Sequence, residues 1–280
     1  MCHQSTANLV KQKEKEGKMK LAIQENLVPG KSFLEKVNKA TEYGFQAIEV
    51  WGMDIVNRVE EIKGALSGSK LRISTICAGY RGSLLSSSKE ERDKAIKDIK
   101  ELLTIGSDLG AVGLIVVPIF GPPQIPDLSP WKRAEEIEKE LLVTLLKEIG
   151  EKAEEVGCFC LLEPLNRYET HLIKTVEQAI EIVKRVNSPA VKVMADFFHM
   201  SIEEAKIDEA IKKGKDFICH VHLADSNRLL PGCGHTDFKA GFSALKEIGY
   251  DKYMALECRI PGKAEEELPK CVEYLKGCME

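Results

Sequence analysis

Eight apolar, β-rich runs alternate with eight segments of helical period between Met19 and the end of the chain. The runs fall at residues 20–24, 46–50, 71–76, 112–117, 158–163, 191–195, 218–223 and 253–257. A strand followed each time by an amphipathic helix is the pattern of parallel strands joined by crossovers, and eight such units are enough to close the sheet into a barrel. The chain is therefore expected to be an α/β protein, a single-domain (β/α)8 TIM barrel over residues 19–280. Its length of 280 residues suits that architecture, which takes roughly 250. The competing topology is a doubly wound open sheet, but no G-x-G-x-x-G follows the first strand.

The helical segments have the composition of an outer ring. Lys89 to Leu109 sets Ala95, Ile96, Ile99, Leu102 and Leu103 on one face and Lys and Glu side chains on the other. Gly44, Gly110, Gly157 and Gly249 precede strands, where a helix can end in a left-handed cap before the chain turns inward. Residues 1–18 are polar and charged, without the apolar core of a signal sequence, and are expected to form a disordered tail. No apolar run approaches the ~18 residues of a membrane helix. A formal net charge of -4 offers no basic field for nucleic acid or an anionic membrane. The partners expected are small molecules and further copies of the chain, as a homodimer or homotetramer, in the cytoplasm. Nine cysteines is an odd number, and Cys77, Cys158, Cys160 and Cys219 lie inside strand runs, so they are read as reduced, apolar side chains. Cys158 and Cys160 make a poor zinc site, because no second Cys pair accompanies them.

The chemistry-bearing residues stand at the ends of the last four strand runs. Glu163 follows CFCLL, Asp196 follows VKVMA, His222 closes ICHVH and Glu257 follows YMAL. The intervals are 33, 26 and 35 residues, about one strand plus one helix each, so a parallel barrel would bring all four to one rim. Taken singly, a Glu ending a strand is ordinarily a cap or a solvated residue. Four at matching depth in successive units form a set that can hold a divalent cation and leave room for a substrate. Three carboxylates and one imidazole are compatible with Mn2+, Mg2+ or Co2+, and the absence of Cys argues against a thiolate zinc site; Mn2+ is the ion expected, with Mg2+, Co2+ or Zn2+ as alternatives.

The segments LLEPLNRYETHL (161–172), ADFFHM (195–200), HVHLADSNRLLPGCGHTDF (220–238) and ALEC (255–258) resemble the ketose 3-epimerase branch of the xylose-isomerase-like barrel family, which includes D-tagatose and D-psicose 3-epimerases. The specific match covers residues 158–262, and the first half is similar mainly in its strand and helix rhythm. The resemblance implies one divalent metal ion held by Glu163, Asp196, His222 and Glu257, with Glu163 and Glu257 transferring protons. It also implies substrate contacts by Glu169, His199 and Arg228, within EPLNRYE, DFFH and HLADSNR. The activity implied is an isomerase that inverts C3 of a free ketose, or of a keto-sugar acid, through a metal-stabilised cis-enediolate. Aldose–ketose isomerisation of the hydroxypyruvate isomerase kind and inosose-type dehydration use similar groups and remain the alternatives.

The residue types suit that chemistry independently. Inversion beside a ketone removes a weakly acidic C–H proton and returns one on the opposite face, so two bases must flank the sugar, and Glu163 and Glu257 come from the fifth and eighth strands. Four further residues are possible pocket members. Glu49 and Trp51 end the second strand in AIEVW, His235 follows the seventh, and Arg259 lies two residues past Glu257. By strand parity Arg259 would face the pocket and could pair with a substrate carboxylate. His220 is expected to pack inside the barrel, and Cys233 lacks a partner base. Residues 118–131, with five prolines, are expected to form a stiff lid over the mouth. Gly232 and Gly234 are expected to let the backbone of the loop after strand seven approach a ligand.

Overall fold

A computed structural model describes residues 19–280; the expected tail at 1–18 lies outside the described residues. Strands β1 (Lys20–Gln24), β2 (Ala47–Trp51), β3 (Arg72–Cys77), β4 (Gly113–Val116), β5 (Phe159–Leu162), β6 (Val191–Asp196), β7 (Ile218–Leu223) and β8 (Tyr253–Leu256) close into a parallel barrel in sequence order. Closure is made by β1, which pairs Lys20 with Tyr253 and Ile23 with Leu256 on one side and Ile23 with Ile48 on the other. The (β/α)8 architecture expected from the alternation is the one observed. The strand ends lie within one residue of the expected bounds. That offset matters at β5 and β8, where Glu163 and Glu257 stand one residue beyond the ladder.

The helices are α1 (Phe33–Tyr43), α2 (Val59–Leu66), α3 (Lys89–Leu109), α4 (Ala134–Val156), α5 (Val176–Val186), α6 (Phe197–Glu203), α7 (Ile207–Lys213), α8 (Phe238–Glu247) and α9 (Ala264–Met279). In α3 the buried face includes Ala95, Ile96, Ile99, Leu102 and Leu103, as the periodicity requires. Its C-cap Gly110 takes φ 71°, a left-handed conformation that costs a glycine no steric penalty. One departure from eight helical units falls between β6 and β7, where two short helices replace one. The first starts on Asp196, whose carboxylate accepts the N–H groups of Phe198 at 2.7 Å and His199 at 3.4 Å. It stops at Glu204, whose extended backbone leads into α7 while its carboxylate accepts the Val176 N–H at 2.8 Å.

Side chains fill the barrel interior asymmetrically. Ala22, Ala47 and Ala255 meet where β1, β2 and β8 adjoin, and the larger Cys77, Ile115, Leu161, Met194 and Cys219 fill the side built by β3 to β7. A second, larger core lies between the strands and the helices. The cysteines of the described residues are all free. Burial pushes the Cys158 and Cys160 thiols up to about 12, which leaves them protonated and inert packing groups. Among the described residues no helix is long and apolar enough to cross a membrane.

Just past β1, Glu25 is buried and forms a bidentate ion pair with Arg58 at 3.0 and 2.7 Å, while also accepting the Trp51 N–H at 3.0 Å. Burial alone would raise this carboxyl, but the Arg58 hydrogen bonds and the Trp51 N–H outweigh it and hold the group below its ordinary 4.5. A depressed carboxyl stabilises the fold above its unfolded pKa, so this stabilisation is expected to be present above pH 4.5 and lost as pH falls below it. Arg58→Met is expected to cost about 1.5–3 kcal/mol at neutral pH, because a buried carboxylate loses its charged donors. Urea unfolding at pH 7 and at pH 3 checks this: the difference between parent and variant should shrink at the lower pH.

Candidate active site and metal centre

Asp196 is the last residue of β6, His222 the penultimate residue of β7, and Glu163 and Glu257 follow β5 and β8. The barrel brings these four to one point: one ligand atom from each lies within 4.8 Å of every other. Asp196 and His222 are buried, as is Glu163, and Glu257 is half-buried. His222 Nδ1 faces all three carboxylates, at 3.1 Å from Glu257, 3.8 Å from Asp196 and 3.9 Å from Glu163.

The orientation of that imidazole is set from below by Glu49. A Glu49 carboxylate oxygen lies 3.0 Å from His222 Nε2, and a carboxylate only accepts, so Nε2 carries the proton and Nδ1 is turned to the acids. Glu49 is fully buried and also accepts from Gln24 Nε2 at 2.9 Å, Thr75 Oγ1 at 2.5 Å and His220 Nε2 at 2.9 Å. Gln24 uses its amide twice, donating to Glu257 Oε1 at 2.9 Å as well, and so joins the carboxylate under His222 to one at the rim. His220 lies inside the barrel against Glu49 and Thr75, with Nδ1 buried and without a hydrogen-bond partner among the described residues. Glu49 thus sits beneath His222, buried between it and His220.

The site is crowded with negative charge. Burial raises Glu163 well above its ordinary value; the charges of His222 and Arg228 pull it back and those of Glu257 and Asp196 push it up. No described donor bonds its carboxylate. Burial would also raise Asp196, but the charges of Arg228, His199 and His222 overcome it and bring this group to about 2. His222 would be lowered by burial, and the charges of Glu49 and Glu257 instead hold it well above its usual range. A cation among three converging carboxylates relieves that repulsion. With a directed imidazole nitrogen completing an N/O donor set, the residues fit a divalent ion.

Arg228 supplies the protein's own cation here. Its guanidinium donates to Asp196 Oδ2 at 3.0 Å and to Glu257 Oε2, and it stacks 4.6 Å from the centroid of the Phe198 ring. The backbone at Arg228 is left-handed, φ 60°, an uncommon conformation for a residue with a side chain. It is held by Arg228 N–H to Asp225 O and Arg259 N–H to Arg228 O, each at 2.8 Å. His199 is buried beside Asp196 Oδ2, 3.7 Å from its Nε2, and its Nδ1 accepts the Asn166 backbone N–H at 3.1 Å. Burial lowers its pKa. Glu169 reaches the same corner through Asn166, whose amide donates to it at 2.9 Å.

Two pocket candidates lie elsewhere. Arg259 is exposed and its guanidinium donates to the Asn227 carbonyl at 3.3 Å. The parity argument fails because β8 ends at Leu256, so residues 257 and 259 do not share an extended strand. His235 is exposed and lines a surface cleft of about 280 Å³ with Lys206, Ile207 and Thr236. Trp51 lies at the rim, partly exposed, its N–H bound to Glu25. Gly234 serves its own loop: a Cβ there would lie 2.4 Å from Asp225 Oδ1. Buried Asp225 gathers that loop by accepting the N–H groups of Ser226, Gly232 and Thr236 at 2.8, 2.9 and 3.0 Å. The proline-rich loop at 118–131 is tied sideways, through Gln124 N–H to Glu138 and Thr170 Oγ1 to Ile119 O, to α4 and the loop after β5. Gln24, Thr75 and Asp225 were not singled out in the sequence. The usable signal was a polar residue at the end of an otherwise apolar strand run, as in KLAIQ.

Glu49→Gln tests the support beneath His222. A carboxylate orienting a metal-ligating histidine typically accounts for 10–100-fold in metal affinity, and a loss of about that size is expected, together with a lower melting temperature because the amide turns a donor toward at least one of the four donors on Glu49. Titration of the metal-free variant with Mn2+, followed by calorimetry, measures it.

Residues 37–278 match the model of the xylose isomerase-like TIM barrel family. The chain is 32% identical over 248 residues to the 3-dehydro-D-guloside 4-epimerase of Escherichia coli, covering 86% of this chain and 93% of that protein. It is 31% identical over 242 residues to the D-psicose 3-epimerase of Ruminiclostridium cellulolyticum, covering 81% of this chain and 77% of that protein. The crystal structure of the 3-keto-D-glucoside 4-epimerase from E. coli superposes with a TM-score of 0.86 at 31% identity, over 93% of this chain and all of that one. The motif resemblance to ketose 3-epimerases agrees with these relatives, and the chain belongs to the xylose isomerase-like TIM barrel family as a carbohydrate epimerase of the isomerase class.

Proposed function

We propose that Glu163, Asp196, His222 and Glu257 hold one divalent metal ion, Mn2+ in preference to Mg2+, Co2+ or Zn2+, and that the enzyme inverts C3 of a free ketose. The observation that carries this reading is the convergence of the four ligand atoms within 4.8 Å, with His222 Nδ1 turned by Glu49 toward the three acids. A bound divalent ion supplies Lewis-acid polarisation of the substrate oxygens and so acidifies the adjacent C–H.

The proton work falls to the two glutamates. One takes the C3 proton to give a cis-enediolate and the other returns a proton to the opposite face, with roles exchanged in the reverse direction. Their surroundings differ: Glu257 is held by Gln24, Arg228 and His222, whereas Glu163 has no donor among the described residues. Arg228, His199 and Glu169 line the same corner and are assigned to the sugar hydroxyls. Glu169 is the most accessible of the three, with 42% of its side chain exposed.

Near full-length similarity to a 4-epimerase favours a second reading, in which the ketone is at C3 of a glycoside and C4 is inverted. The chemistry is the same: inversion of a hydroxyl-bearing carbon beside a ketone. Incubating the metal-loaded enzyme with D-psicose, D-tagatose, L-ribulose and a 3-keto-D-glucoside, with product stereochemistry read by NMR, decides between them. Turnover of the glycoside alone would replace the C3 reading; turnover of none would overturn both.

The reading also takes the enzyme as cytoplasmic, supported by the free cysteines of the described residues, and as a homodimer or homotetramer. Exposed Trp51 at the end of β2, with Met53, Phe120, Trp131 and Tyr168 on the loops after β2, β4 and β5, supports the association. Light scattering measures the assembly, and a monomer at micromolar concentration would contradict it.

A further inference from the structure

The end of the barrel opposite the acidic site carries the reverse charge. Around the starts of the strands is a cavity of about 690 Å³, within the range of small-molecule sites and larger than the cleft beside His235. Lys20 opens β1, Arg72 opens β3 and Lys192 is the second residue of β6, while Lys215 and Lys252 lie just before β7 and β8; all five line it. Two carboxylates, Asp216 and Asp251, share the lining. The cavity is therefore cationic in a chain whose net charge is -4.

These cations are poorly neutralised. Lys252 has one ion pair, with Asp251 at 3.3 Å, and both partners are too exposed for the pair to hold firmly. Lys192 donates to the Asp216 carbonyl at 3.1 Å, Lys20 lies 5.1 Å from the centroid of the Tyr253 ring, and Arg72 uses Nη1 on the Ser69 and Leu71 carbonyls. Lys20, Arg72, Lys192 and Lys215 have no carboxylate partner among the described residues. Their charges reach a common space. Burial pushes the Cys219 thiol up while Lys252 and Lys192 both pull it down, and burial likewise raises Tyr253 against the pull of Arg72.

Five cations around one cavity, at least two held in place over an aromatic ring or on a carbonyl, match a compact ligand with several negative charges. The geometry points to a second binding site at the floor of the barrel, separate from the acidic rim, that takes a small polyanion of the polyphosphate or polycarboxylate kind.

Calorimetric titration of the full chain with tripolyphosphate, and separately with citrate, tests it. One tripolyphosphate is expected to bind per chain, more weakly as salt rises. Lys192→Gln/Lys215→Gln/Lys252→Gln is expected to lose at least about tenfold in affinity, the scale of a single charge-assisted contact. Lys31→Gln/Lys97→Gln/Lys147→Gln, which removes the same charge elsewhere, should bind like the parent. Tighter binding of tripolyphosphate than citrate identifies a phosphate ligand, and the reverse a polycarboxylate. Lys215 is exposed, so Lys215→Glu alone provides a variant expected to fold normally and to weaken binding. Mn2+ affinity should be unchanged in every variant. No saturable binding of either anion at millimolar concentration, or equal losses in the two triple variants, would overturn the proposal.

Discussion

Glu163→Gln and Glu257→Gln are each expected to lower net epimerisation by several orders of magnitude. A positioned general base or acid accounts for ~10²–10⁴ in rate, and the charge that balances the cation is lost as well. Gln is nearly isosteric with Glu, so the fold should persist. The two variants should also differ from one another. Gln24, Arg228 and His222 converge on Glu257, and an amide there turns a donor toward at least one of these donors. Glu163 has no such partner among the described residues, so Glu163→Gln should be the better folded of the two by thermal melting. A variant with near-parental turnover at either position would remove that glutamate from the proton path.

Asp196→Ala combined with His222→Ala is expected to abolish stoichiometric binding of a divalent ion, because two of the four proposed ligands disappear and Arg228 and Glu49 each lose a partner. Metal analysis after chelation and reconstitution measures it. The parent should retain about one ion per chain and the double variant almost none, with activity falling in parallel. A double variant that still takes up one ion with parental affinity would place the metal elsewhere.

The fold and the rim residues were legible for the same reason. A parallel barrel repeats one local pattern, so a residue's depth follows from its place in its own strand, and Glu163, Asp196, His222 and Glu257 could be aligned without knowledge of any contact. What supports them could not be read that way. Gln24, Glu49 and Thr75 belong to β1, β2 and β3, and the network centred on Glu49 reaches His220 and His222 of β7 only because the sheet closes and brings distant strands face to face across the interior. Nothing local in AIEVW distinguishes a glutamate aimed at a histidine across the barrel from one at the mouth. Arg259 departs from its expected place for the opposite reason: the two-residue alternation of a strand ends where β8 loses its ladder at Leu256. Arg228 was recognisable from its motif, but its left-handed backbone, which depends on the Asp225 turn and on the Arg259 N–H, was not.

Two glutamates on opposite faces of the sugar are proposed to invert a carbon beside a ketone, and hydrogen exchange with solvent reports on both proton transfers. In deuterium oxide, the parent enzyme loaded with Mn2+ should introduce deuterium at the inverted carbon in both epimers, and only there. Glu163→Gln and Glu257→Gln should each retain exchange from one epimer and lose it from the other, in opposite senses. Inversion by the parent without solvent deuterium at that carbon, or equal residual exchange from both epimers in each variant, would contradict the two-base account.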